Sequence, residues 1–174
     1  MAPKSIDHYQ VGRAGREKRL RPEFCSAINA LLENKGSEMR FSLFGKANEP
    51  DYTVQLRGST IAYFEAEFPE EGRWPFGGEF KFETIRWPER KWEHYKLGKG
   101  RYLRKPFFLI SVRGDLGDAY YLDAKTWFLK AKKERFWGSV FYGVKKDAPD
   151  LGRGLDKMED YIRSRAASVY KSTI

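Results

Sequence analysis

A chain of 174 residues is of one-domain size, and its 41% hydrophobic content, with 13 Phe, 10 Tyr and 5 Trp, supplies a packed core and excludes a disordered polypeptide. The formal charge of +9, from 33 Lys+Arg against 24 Asp+Glu, favours polyanionic partners, nucleic acid first. The single cysteine, Cys25, excludes an intramolecular disulfide and a cysteine-rich zinc site and suits a reducing, cytoplasmic compartment; without a long apolar run or an export-type N-terminus, no membrane association is expected.

Residues 1–14 read as a polar leader, and residues 15–174 as one domain. From about Gly15 to Lys35, Leu20, Phe24, Ala27, Ile28 and Leu31 recur at three- and four-residue steps, which predicts an amphipathic helix stopped at Asn34-Lys35-Gly36. Carrying the apolar stripe one turn back reaches Glu17, at its inward edge. Met39 to Phe44 reads as a short strand. Tyr52 to Leu56 and Thr60 to Phe68 read as two strands of a hairpin turning at Arg57-Gly58-Ser59. Alternation places Ile61, Tyr63, Glu65 and Glu67 on one face of the second strand, and Ala62, Phe64, Ala66 and Phe68 on the other.

A Gly/Pro-rich loop with Arg73-Trp74 follows, then an extended stretch from Glu79 to Ile85 and a short helix from Pro88 to Tyr95. Lys96 to Lys105 is a basic loop. Phe107 to Val112 and Ala119 to Asp123 read as strands around a turn at Gly114 to Gly117. Asp123 to Arg135 reads as a helix, Val140 to Val144 as a strand, and Leu155 to Lys171 as a last helix on Leu155, Met158, Ile162 and Val169. Helices framing a mixed sheet fit this order.

The chemistry concentrates on acids. Asp51 opens one hairpin strand and Glu65 and Glu67 end the other, so hairpin geometry brings the three carboxylates together. Like charges at close range are costly unless a cation lies among them, and hard oxygens suit Mg²⁺, which takes few carboxylates and keeps several waters. Such an ion activates water and stabilises charge growing on a phosphate. A solvated strand edge guarded by alternating acids is the plainer alternative for Glu65 and Glu67.

Glu17 on a helix, then Pro50-Asp51, then a strand ending Phe64-Glu65-Ala66-Glu67, then a helix opened by Pro88-Glu-Arg-Lys91, resembles the PD-(D/E)XK superfamily of restriction-endonuclease-like nucleases and Holliday-junction resolvases. The resemblance spans about Gly15 to Asp123. It implies an α/β fold with a central mixed β-sheet flanked by helices, restriction-endonuclease-like, and endonucleolytic hydrolysis of DNA, duplex or branched. It also implies Mg²⁺, for which Mn²⁺ substitutes, with no organic cofactor, and a homodimer as a common state of such enzymes. Asp51 and Glu65 would then hold the metal, supported by Glu17. Glu67 stands where most members have lysine; one branch of restriction enzymes also has Glu-x-Glu, and a carboxylate there acts as a further metal ligand or a general base. A second placement, Glu79-Phe80-Lys81, has the usual Glu-x-Lys form but follows a loop.

Basic groups cluster near these acids in sequence. Arg13, Arg16, Lys18, Arg19 and Arg21 lie beside Glu17 as candidate phosphate contacts, and Arg90 and Lys91 follow the acidic strand, where they would support phosphate binding or compensate charge. Arg73-Trp74 pairs a cation with an indole, a combination that grips a phosphate and stacks on an exposed base, although a loop tryptophan also serves as a lid on a core. Glu67 in the lysine place motivates the alternative function, a non-catalytic nucleic-acid-binding protein that keeps a nuclease-like fold.

Overall fold

The computed structural model describes the backbone of residues 5–45, 50–95, 104–136 and 138–172, and side chains within 15–166 of these. The fold is mixed α/β. Helix α1 (Ser5–Asn34) runs back through the stretch read as a leader. Leu20, Phe24, Ile28 and Leu32 form its buried stripe, with Cys25 packed alongside. Gly36 (φ +74°) ends it: the Gly36 N–H donates to the Glu33 carbonyl and the Ser37 N–H to the Leu32 carbonyl, a C-terminal motif that needs the left-handed conformation glycine adopts freely.

Strands β1 (Met39–Leu43), β2 (Tyr52–Leu56) and β3 (Ser59–Glu67) form an antiparallel meander. The β2–β3 turn is Arg57-Gly58, at φ 52° and 81°, the positive pair that a two-residue hairpin requires. Strand β4 (Thr84–Pro88) and the short helix α2 (Glu89–Glu93) lie in the connection to β5 (Phe107–Val112), which pairs parallel with β3. Strand β6 (Ala119–Asp123) pairs antiparallel with β5, helix α3 (Ala124–Lys130) follows, and β7 (Lys132–Phe136) and β8 (Ser139–Lys145) form a hairpin. The two-residue strand β9 (Gly152–Arg153), a 3₁₀ turn (Leu155–Lys157) and helix α4 (Met158–Ser172) complete the chain.

The main sheet has the order β1-β2-β3-β5-β6-β9, and a second sheet has the order β4-β8-β7. One face of the main sheet packs Phe64, Ala66, Phe108 and Ile110 against α1 and α4, whose Met158 and Ile162 are buried there. The opposite face packs Phe107, Leu109, Tyr120 and Leu122 against Ile85 and Trp87 of β4, Val144 of β8 and Trp127 of α3. The alternation expected for β3 holds, since Ala62, Phe64, Ala66 and Phe68 all enter the helix-side core.

Three expectations are corrected. The helix read through Arg135 ends at Lys130, because Ala131 is extended (φ −66°, ψ 140°) and Lys132–Phe136 instead satisfies its backbone against β8. Local helix preference among Lys, Glu and Arg is worth only tenths of a kcal/mol per residue, too little to oppose a paired strand. The extended segment expected over Glu79 to Ile85 is displaced to Thr84–Pro88, where alternation buries Ile85 and Trp87 on one face. Within the stripe of α1 the deepest fourth position is Leu32, with Ala27 and Leu31 half-buried at its flanks.

Candidate functional site

The acids meet at the C-terminal end of β3, where the start of β2, the middle of α1 and helix α2 converge. Pro50 lacks an N–H, so β2 cannot extend the ladder beyond Tyr52, whose register partner is Phe64. Ala66, one pleat further on, therefore finds other partners for its backbone. The Asp51 Oδ2 accepts the Ala66 N–H at 2.8 Å, and the Lys91 Nζ donates to the Ala66 carbonyl at 3.0 Å. A strand end that would otherwise bury two unpaired polar groups is completed by an acid and a base.

Lys91 is the hub. Its ammonium lies 2.8 Å from Glu65 Oε1 and 2.9 Å from Glu67 Oε1, and the residue is only 7% exposed. Burial opposes its charge, but the facing Glu65, Glu67 and Asp51 more than offset this and raise the lysine pKa. The other oxygen of Glu65, Oε2, accepts the Tyr95 hydroxyl proton at 2.7 Å. Across the cluster, Arg21 of α1 joins two acids: its Nε is 3.0 Å from Asp51 Oδ1 and its Nη2 is 3.2 Å from Glu17 Oε2. The Tyr52 hydroxyl fixes this stretch of α1 by donating to the Arg21 carbonyl at 2.9 Å.

Among the described residues, Glu17, Asp51, Glu65 and Glu67 are four carboxylates that meet two close cations, Arg21 and Lys91. The crowding appears at Asp51, whose carboxyl is pushed up to about 6, first by burial and then by the charge of Glu65, against the pull of Lys91, Arg21 and the Ala66 N–H. Among the described residues no three His, Cys, Asp or Glu side chains are grouped as a ready metal site. The donor chemistry nevertheless fits Mg²⁺, which needs only one or two carboxylates beside its waters: Asp51 and Glu65 are hard oxygen donors that repel one another.

The other candidates divide. Arg16 of α1 donates from Nη2 to the Phe68 carbonyl at 3.0 Å and lies 3.8 Å from Glu70, at the rim of the cluster. Arg73 borders the same rim. Arg19 is exposed and 3.8 Å from Glu23, and Arg90 is exposed on the outer side of α2, so neither touches the acids. The Arg13 side chain and the loop bearing Lys96, Lys99 and Arg101 lie outside the described residues. Trp74 is corrected: it is fully buried, packs edge-on against Phe80 at 5.6 Å and donates its indole N–H to the Gly78 carbonyl, so no base stacks on it. The alternative Glu79-Phe80-Lys81 does not join the cluster, because Arg153 holds Glu79 at 2.8 Å and Phe80 is in the core.

Of the two roles expected for Lys91, phosphate binding or charge compensation, its contacts with Glu65 and Glu67 are of the second kind; Arg21, expected at phosphate, pairs with Glu17 and Asp51, and the role of Tyr95 was passed over. One signal was there to find. Glu17 and Arg21, and Lys91 and Tyr95, are each four residues apart, the spacing that stacks side chains on one side of a helical turn. No protein-family model, curated protein or solved structure matches this chain.

Proposed function

We propose that this chain is a divalent-metal-dependent endonuclease that hydrolyses DNA phosphodiester bonds, with a restriction-endonuclease-like core of the PD-(D/E)XK kind. The observation that carries the reading is the meeting of Glu17, Asp51, Glu65 and Glu67, from three separate elements, around two cations, with Arg21 beside Glu17 and Asp51 and Lys91 beside Glu65 and Glu67. The chain order supports it: a helix bearing Glu17, an antiparallel meander whose second and third strands bring Asp51 and Glu65 together, and a following strand parallel to the third.

In this reading Asp51 and Glu65 hold Mg²⁺ or Mn²⁺, which when bound supplies positive charge to the phosphate and acidifies water. Glu67 is the third carboxylate. Lys91, from α2, provides the positive charge that lysine provides at the motif's third place, reaching the same oxygens from another element. Arg21 holds Asp51 and Glu17 in register, and Tyr95 fixes the Glu65 rotamer. The net charge of +9 draws DNA toward a site that is itself acidic.

The test is cleavage of duplex, single-stranded and branched DNA with Mg²⁺ or Mn²⁺. Asp51→Asn and Glu65→Gln are expected to lose product by at least about a hundredfold, as expected when a charge-stabilising group is removed, with the far-ultraviolet circular dichroism unchanged. Full activity in either variant refutes the assignment. The second reading, a binding module without catalysis, is favoured by the Asp51 and Glu65 oxygens already meeting Arg21, Lys91, Tyr95 and the Ala66 N–H. Salt-sensitive DNA binding with no product under any metal condition selects it.

A further inference from the structure

Beside Glu67 lies a cavity of about 20 Å³, lined by Arg16, Arg73, Arg86, Glu67, Glu70 and Phe68 among others. Three guanidinium groups meet two carboxylates around this small space, and Glu70 lies 3.8 Å from Arg16. Arg86 is the most telling. It lies on β4 between Ile85 and Trp87, and alternation turns it away from the core those two enter. It is only 8% exposed, its Nε has no hydrogen-bond partner, and no carboxylate pairs with it among the described residues. Its guanidinium lies 4.2 Å from the ring centre of Phe136, 5.1 Å from that of Phe82 and 5.9 Å from that of Phe141. The rings offset part of the cost of burying the charge, and cannot replace a hydrogen-bonded anion. Burial accordingly lowers the Arg86 pKa, partly opposed by the charge of Glu134. Arg16 lines the same space with its own Nε unpartnered and buried.

We infer that Arg16, Arg73 and Arg86 form an oxyanion subsite that receives a non-bridging oxygen of a DNA phosphodiester beside the carboxylate cluster. The cavity volume limits the occupant. About 20 Å³ admits one water or one phosphoryl oxygen and excludes a base or a sugar. The chemistry selects the anion, since guanidinium forks pair with phosphate oxygens through parallel charge-assisted hydrogen bonds. Glu67 borders both regions, so a phosphate seated on the arginines abuts the carboxylates that would hold a metal. Opposite charges side by side are what a phosphodiester needs if one of its oxygens is gripped by the protein and another by a cation. This subsite deepens the nuclease reading and rests on it for the identity of the phosphate, not for the existence of the anion site.

The experiment is titration of the full chain with inorganic phosphate in chelator at constant ionic strength, followed by phosphorus-31 resonance and calorimetry. A short DNA duplex without terminal phosphates is then added as competitor. Wild type is expected to bind phosphate and to release it to the duplex. Arg86→Gln and Arg73→Gln are each expected to weaken phosphate binding about tenfold, the loss of one charge-assisted pair. Arg86→Lys is expected to fall between, because it keeps the charge and loses the fork. If Arg86→Gln does not fold, half-buried Arg73 supplies the same measurement. Asp51→Asn is expected to keep phosphate binding while losing cleavage, which separates the two ideas. Arginine-dependent, duplex-displaced binding in a protein that never cleaves supports the subsite and removes only the hydrolysis. Equal phosphate affinity in wild type, Arg86→Gln and Arg73→Gln overturns the subsite, and bound phosphate that the duplex does not displace overturns its assignment to a phosphodiester.

Discussion

Replacing Lys91 by methionine removes one ammonium and leaves a side chain of similar length. Glu65 and Glu67, now 2.8 and 2.9 Å from that ammonium, would lose their shared cation, and the Ala66 carbonyl would lose its donor. Breaking a buried ion pair by removing one partner costs about 3–5 kcal/mol, because the remaining charge is left uncompensated. For a domain of this size each kcal/mol is worth about 2–4 °C, so the melting temperature is expected to fall by about 6–20 °C near neutral pH. The sign of the pH dependence is fixed by the same contacts. The folded-state pKa of Lys91 is raised, so wild type keeps this stability below the ordinary lysine range and loses it only as pH climbs through the raised value. Urea denaturation of both proteins at several pH values measures this directly. A loss below about 1 kcal/mol near neutral pH, the worth of an exposed pair, refutes the view of Lys91 as the charge hub of the cluster.

Three other outcomes are expected. The Asp51 carboxyl is raised from 3.8 to about 6 by burial and by Glu65, so the stability contributed by Asp51 is fully present below the ordinary aspartate range and is lost as pH rises through about 6. Asp51→Asn keeps an oxygen for the Ala66 N–H and removes the charge; it is expected to flatten that slope and to gain up to about 3 kcal/mol near pH 8 while losing cleavage, read by thermal melts and nuclease assay. Arg21→Met removes the cation from Asp51 and Glu17 and is expected to raise the Asp51 pKa further, visible as a carboxyl titration moved to higher pH by carbon-13 resonance. Gly152→Ala would place a methyl 2.1 Å from the Tyr121 ring and is expected to cost about 1–3 kcal/mol in a urea melt, loosening β9 without touching the carboxylates.

Much of the frame could be read from residues alone. The helix through Leu20, Phe24 and Ile28, the Arg57-Gly58 hairpin, the opposed faces of β3 and the strands Phe107–Val112 and Ala119–Asp123 follow from periodicities of 3.6 and 2 that the backbone imposes within a few residues. The neighbourhood of Asp51 and Glu65 was equally legible, because a hairpin is a local structure whose register its turn determines. Lys91 against Glu67, Trp74 sealed beneath Phe80, and Arg86 beneath three phenylalanine rings were not. Each depends on β4, α2, β7 and β8 packing over a sheet formed elsewhere in the chain, and β7 itself is a strand only because β8 pairs with it. Local pattern determined where the charges stand along their own elements; which charge faces which is decided by long-range packing, where burial strengthens every attraction and every repulsion by removing the water that would screen it.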